Sequence, residues 1–369
     1  MFLSSSAQHT FIVDEREELW AFGRNDFGQL GLGDCHHHDT PTRVVLPTFP
    51  GPLRQVAVGG HHSLLLDANG GVWATGLFSK GTPRTNEFVL LTNLPPIQYI
   101  SAGRHHSMAV DGDGKVWGFS FSNELAQLGL GTTQEAPSSP QQVPGLPCIV
   151  SVTCGEDYTF ALDTSGALWG FGDNGKGQLG LGDTFIRLRP VRVLLPSVRC
   201  CSAGEKFSVV VDNEGIVWTC GRNSDGQLGR VEGAKSKFSR VPLPTEIRSA
   251  VAGAFHVLAL DVDNHVWVWG HGHCGVLALP NNPRSQITPI RSSLMPTASV
   301  IAAGRTHTMF LSQDKNLYLC GKNTFGQLGV PNSASHQENL MPHPTLRPHA
   351  LPLYKPKSAR SVAPLSHTK

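Results

Sequence analysis

Apolar positions come in short runs separated by clusters of Gly, Asp, Asn and Pro, the spacing of many brief β-strands rather than of helices. Residues 55–58, 63–66 and 72–75, with a further strand near 88–91, show the pattern clearly. Between the second and third strands, Asp67-Ala68-Asn69-Gly70-Gly71 reads as a hairpin turn, with Asp accepting local backbone bonds and Gly supplying positive φ. Asp111-Gly112-Asp113-Gly114 and Asp163-Thr164-Ser165-Gly166 repeat the device. The second strand is apolar at successive positions, as in Leu64-Leu65-Leu66 and Val209-Val210-Val211, so both faces of its sheet must be covered.

The unit recurs seven times in one frame. An aromatic stands at Trp20, Trp73, Trp117, Trp169, Trp218, Trp267 and Tyr318. Six residues earlier come Asp14, Asp67, Asp111, Asp163, Asp212, Asp261 and Ser312, and five earlier again His9, His62, His106, Tyr158, Phe207, His256 and His307. Three residues before that position Gly precedes six copies, and Ser6 replaces it in the first. A Gly-Gln-Leu-Gly loop follows the aromatic at Gly28, Gly177, Gly226 and Gly326; copy three keeps Ala126-Gln127-Leu128-Gly129, and copies two and six lack it in sequence.

A four-stranded unit cannot bury two faces alone, so seven must stack and close into a ring. The fold class is therefore all-β, a seven-bladed β-propeller of four-stranded blades spanning residues 1–341. Residues 2–14 supply the first two strands of copy one and 317–341 the last two of copy seven, so these N- and C-terminal strands are expected to meet and close the ring. The segment 342–369 carries six Pro, five basic residues and no acid, and is expected to be a disordered tail.

Composition narrows the function classes. Net charge is +2 over the chain, and setting aside the five cations of the tail leaves the repeat body at −3, which argues against a nucleic-acid face. No run of 18 apolar residues exists and the N-terminus lacks a signal-peptide pattern, so the protein is expected in the cytoplasm or nucleus, off the membrane. The eight Cys form no C-x-x-C pair and read as reduced thiols. Cys35-His36-His37-His38-Asp39 and His271, His273 and Cys274 offer metal-ligand chemistry without an imposed spacing, and no metal or cofactor is expected. Gly170-Phe171-Gly172-Asp173-Asn174-Gly175 mimics a dinucleotide fingerprint, but opens a repeat loop instead of a helix.

Neither kelch nor WD repeats fit, since there is no Trp-Asp dipeptide and double Gly occurs only at Gly59-Gly60 and Gly70-Gly71. The order Gly-x-x-His, Asp-x-x-Gly, Trp-x-x-Gly, Asn-x-x-Gly-Gln-Leu-Gly resembles the repeat of the regulator of chromosome condensation family over residues 2–341. That resemblance implies a propeller and, by analogy with its founding member, guanine-nucleotide exchange on a Ran-like small GTPase. The founding member's wedge hairpin and basic N-terminal arm have no counterpart in this sequence, so a non-catalytic, monomeric propeller binding a partner protein is the leading expectation and exchange the alternative. A photoreceptor-like Trp cluster is discounted, because only Trp269 lies outside the framework position.

Function is sought where copies disagree. The pairs between repeat Gly and repeat His vary, and with them the candidate partner-binding residues His61, Arg104, His105, Glu156, Asp157, Glu205, Lys206, Phe255 and Arg305. Glu156, Asp157 and Glu205 form an acidic run on adjacent blades, either functional or merely solvated. The Asn-x-x-Gly-Gln loop adds Phe27 and Phe325, neighbours across the closure, which either form an exposed hot spot or tuck under their own loops. No catalytic residue is assigned. The repeat His column is read as framework, because catalysis does not need one base per blade.

Overall fold

The computed structural model describes residues 3–343 apart from 6–7, 15, 47–50, 135 and 332–334. Seven antiparallel four-stranded sheets follow one another, each made of consecutive strands. The first blade uses Leu3–Ser5, His9–Val13, Leu19–Gly23 and His38–Arg43; the seventh uses Ala298–Ala303, His307–Ser312, Leu317–Lys322 and His336–Pro342. Among the described residues, no strand is exchanged between the first and last blades. The ring closes by packing: Ile12 and Phe22 of blade one share a cluster with Met309, Leu317, Leu319 and Leu328 of blade seven. The chain ends therefore meet as expected. His343 is buried directly after the last strand, and the rest of the expected tail, 344–369, lies outside the described residues.

The hairpin device works as the sequence implies. Asp67 Oδ1 accepts from the amides of Asn69 and Gly71, both at 2.8 Å, while its Oδ2 accepts from the indole N–H of Trp73 at 2.9 Å. The same Asp–Trp bond recurs in five further blades. Burial opposes ionisation of Asp163 and Asp261, yet these donated bonds hold both carboxyls below their ordinary value. In blade seven both partners change together: Ser312 caps the turn through Asn316 N, and Tyr318 stacks on Phe310 instead.

The repeat His column joins the blades. His9 Nε2 meets Ser63 Oγ of blade two at 2.8 Å, and Ser63 Oγ donates onward to the Gln29 carbonyl of blade one at 2.8 Å. A hydroxyl that donates onward must accept from the ring, which places a proton on Nε2, and burial, by lowering the ring to about 3, keeps the imidazole neutral. His106–Thr159–Gln127, His256–Thr308–Val276 and His307–Thr10–Gln327 repeat the clamp, the last across the closure. Tyr158 in blade four keeps a polar contact with Ser208 at 3.1 Å.

Blade five breaks the column with Phe207, and blade six answers with Val257 where a hydroxyl is usual; the two share one apolar cluster. The orphaned Gln227 carbonyl is then satisfied by Trp269 Nε1 at 2.9 Å. Trp269, the one Trp outside the framework position, thus replaces the missing hydroxyl.

One sequence expectation is corrected here. Copy six has not lost its loop: Gly275-Val276-Leu277-Ala278 reproduces it, with Ala278 N donating to Gly275 O at 3.0 Å just as Gly31 N donates to Gly28 O. The backbone geometry survives with Val in place of Gln and Ala278 held at φ 45. Val276 and Leu277 are buried, so side-chain packing compensates for the altered motif.

Candidate interaction rim

The Gly-x-x-His and Asn-x-x-Gly-Gln loops lie on one rim, because in every blade the residue following the third-strand Gly, Ser120 in blade three, donates its amide to the carbonyl of the second Gly-x-x-His pair member. Arg24 N to Gln8 O at 2.9 Å and Asp173 N to Asp157 O at 2.9 Å are examples. The repeat Gly exists for packing. A Cβ on Gly59 would sit 2.4 Å from His62 Cε1, so the framework ring presses against the backbone, and the first of the two intervening residues lines the axial channel mouth in blades two to seven. That mouth is a cavity of about 150 Å³ walled by Gly and Ala, with Arg104, Glu156, Glu205 and Arg305 around it.

Two members of the acidic run, Glu156 and Glu205, are paired and largely buried. Glu156 is only 7% exposed and paired with Arg104, and Glu205 is 11% exposed. Glu205 reaches Arg305 of blade seven at 2.6 Å and Arg222 of its own blade at 3.7 Å, spanning blade six. Phe255 of blade six fills the gap, its ring 5.2 Å from the Arg222 guanidinium and 5.5 Å from that of Arg305. Burial raises the Glu205 carboxyl despite both arginines. Lys206 pairs with Asp173 at 3.3 Å, and that carboxylate holds its ammonium above the ordinary value although burial acts against it. Asp157 is the exception: burial, reinforced by Glu156, pushes its carboxyl up to about 6.

The other half of the rim is dominated by aromatic and imidazole rings, with Arg24 paired to Asp26 among them. Phe27 and Phe325 are half-buried and do not abut; the Arg24 guanidinium stands between them, 5.9 and 5.3 Å from the two ring centroids. Phe27 packs at a tilt against His61 at 4.6 Å and His61 against His105 at 5.1 Å, and Phe325 meets His37 edge-on at 5.1 Å. Burial, then His105 and the nearby arginines, lowers His61 to about 4, and burial lowers His105, so both rings are neutral near pH 7. The loop histidines separate: His37 Nδ1 accepts from Asn25 N, whereas His36 and His38 turn to Asp34.

All eleven candidate residues therefore lie on one rim, divided into an aromatic and imidazole arc on blades seven, one, two and three and an ion-pair network on blades three to seven. Arg24, Asp173 and Arg222 were missed. They occupy the position just after the third-strand Gly, which varies through Arg24, Leu77, Phe121, Asp173, Arg222, His271 and Lys322, so the same search for disagreement between copies would have found them.

A closed ring of seven near-identical blades whose individual chemistry is gathered on one rim defines a repeat propeller with a variable binding face. The family model for the RCC1-like domain matches residues 78–365, and models of the regulator of chromosome condensation (RCC1) repeat match 17–66 and 53–82. The chain belongs to this RCC1-like repeat family. Similar proteins include the protein RCC2 homolog of Xenopus laevis, 30% identical over 48% of this chain and 26% of that protein. The probable E3 ubiquitin-protein ligase HERC4 of Mus musculus is 34% identical over 50% of this chain and 18% of that one. The matched stretch is thus a minor part of those proteins. In shape, the chain is similar to human WBSCR16 (TM-score 0.78, 20% identity, 91% of this chain and 94% of that one). It is equally similar to Prp20p of Saccharomyces cerevisiae (TM-score 0.77, 22% identity, 93% and 87%), a structure described together with its binding to Gsp1p and histones. At these identities the likeness concerns the fold. No helix among the described residues is long and apolar enough to cross a membrane.

Proposed function

We propose that this propeller is a non-catalytic interaction module that binds a partner protein across the loop rim, with the arc of Phe325, Arg24, Phe27, His61 and His105 as its anchor. The observation that carries this reading is the sandwich of Arg24 between two half-exposed Phe rings at positions the repeat does not require. Aromatic and Arg side chains dominate protein interfaces because they bury large area at small entropic cost. Crosslinking mass spectrometry on the tagged full chain tests it. Crosslinks to one protein should concentrate on this rim and vanish in Phe27→Ala/Phe325→Ala; crosslinks on the hairpin rim, or none lost in the variant, would overturn it.

The second reading, exchange on a Ran-like small GTPase, is favoured by the fold shared with Prp20p and by a partly exposed acid, Asp157, in the loop family that the founding member uses. Exchange requires only that the rim prefer the nucleotide-free GTPase. Release of fluorescent GDP from Ran, accelerated by the chain and lost in Asp157→Ala, would replace the first reading with this one; no acceleration removes it.

A further inference from the structure

The outer wall of blade four combines exposed apolar residues with exposed cations. Its edge strand, Arg187–Arg192, reads Arg-Leu-Arg-Pro-Val-Arg and continues a segment that leaves Phe185 73% and Leu194 92% exposed, with Ile186, Leu188 and Val191 exposed between them. Isolated exposed apolar residues are ordinary; five within ten positions are not. The cations are equally unusual. Arg187 is held by Asp183 at 2.6 Å, but Arg189 and Arg192 make no ion pair among the described residues, nor do Lys235, Lys237 and Arg240 on the wall of blade five. The two walls are continuous: Gly182 N donates to Ser236 O at 2.8 Å, Leu181 bridges to Lys237, and the Lys237 side chain lies over Gly182. Five unpaired cations are thus collected on one strip of a repeat body whose net charge is −3.

We propose that this strip docks an extended, acidic segment of a partner protein in which acidic and apolar residues alternate. An extended occupant fits because the exposed cations and apolar residues follow the length of one edge strand, Arg187–Arg192, rather than forming a round patch. Extension of the sheet is not the mode: the Leu188 carbonyl is already taken by Gly131 N at 2.8 Å, and Pro190 has no N–H to offer. Recognition therefore runs through side chains, with carboxylates on Arg189, Arg192 and Lys237 and apolar groups on Phe185, Leu188 and Val191. The chain's own tail is the wrong occupant, since residues 342–369 hold five cations and no acid. A membrane surface is disfavoured by width, for the neighbouring outer strand of blade three is the uncharged pair Gln141–Gln142.

Fluorescence anisotropy with the full chain and a fluorescein-labelled peptide alternating Glu and Val tests this. Binding should saturate, weaken with salt, and fall by about tenfold or more in Arg189→Glu/Arg192→Glu, because two exposed ion pairs are lost and reversal adds repulsion. Phe185→Ser should weaken it through area alone, and Phe27→Ala/Phe325→Ala should leave it intact, which separates this wall from the rim. Unchanged thermal midpoints confirm that the variants fold. The proposal is overturned by absent saturation, by equal affinity for a Lys/Val peptide, by indifference to Arg189→Glu/Arg192→Glu, by capture of phosphatidylserine vesicles in place of the peptide, or by self-association through this wall.

Discussion

His61 and His62 are adjacent in the chain, yet they belong to regions built on opposite rules. His62 is a framework ring, fully buried and bonded to Ser107 Oγ of the next blade at 2.7 Å. His61 faces the rim, packed at a tilt against Phe27 and His105 with its Nδ1 buried and unbonded. The framework solves one problem seven times, and where it changes, at Phe207 and Val257 or at Ser312 and Tyr318, both partners change. The rim solves no common problem: its contacts, Glu205–Arg305 across blade six or Arg24 between two Phe rings, are each made once. Periodicity therefore marks what holds the ring together, and its failure marks what the ring presents.

Acid should separate the two regions most strongly. Burial lowers His9, His62, His106 and His256 to about 3 and His307 to about 4, from an unfolded value of 6.5. A depressed histidine is neutral in the folded state while the unfolded chain takes up a proton, so its stability contribution is present above pH 6.5 and is lost as pH falls toward the folded value. Each ring costs roughly 1 kcal/mol per pH unit in that window, and five acting together remove several of the 5–15 kcal/mol that domains typically possess. The lowered carboxyls Asp163 and Asp261 act below their ordinary value of 3.8 and do not confuse the range. Urea midpoints at pH 8, 6.5, 5.5 and 4.5 should fall steeply only below pH 6.5; a flat profile down to pH 4.5 would show that the column is not buried and neutral.

Next in size is the break in the column. Phe207→His places a buried imidazole opposite Val257, with no hydroxyl to accept its proton, and should cost about 2 kcal/mol or more by leaving a buried donor unsatisfied and opening space. Val257→Thr added to it should recover part of that loss, and only part, because Trp269 already occupies the Gln227 carbonyl that the new hydroxyl would seek. A double-mutant cycle in urea reads the coupling. Additive losses would mean that the paired substitution is accidental.

These two effects rest on residues whose roles differ in how far they can be read from sequence. Seven copies expose the Asp–Trp bond and the His column directly, since a residue recurring in frame must do the same thing each time. They do not reveal who bonds whom between blades, because the partner of His9 is 54 positions away and only its own column, one residue after each His, betrays it. The loop of copy six is hidden for the opposite reason: backbone conformation there is kept by Gly275 and Ala278 while the recognisable Gln is gone. Rim residues could be located but not paired. Glu156 and Glu205 look like an acidic face in sequence, and it takes ring closure to bring Arg305 of blade seven onto Glu205 of blade five.

Asp157 gives the smallest effect and the sharpest sign. Its carboxyl is pushed up to about 6 from 3.8, so the folded state holds a proton that the unfolded chain has released, and ionisation makes it destabilising as pH rises through that window. It therefore opposes the histidine column in direction over nearly the same range. Asp157→Asn removes the penalty and should stabilise the fold at pH 7.5 by about 1 kcal/mol, less than the full shift implies because the group keeps some access to water. At pH 4.5 the folded carboxyl is protonated while most of the unfolded chain's is still ionised, so the same substitution should stabilise by only about a third as much. If Asp157→Asn instead destabilised equally at both pH values, Asp157 would be part of the framework and the division between the two regions would have to be redrawn around blade four.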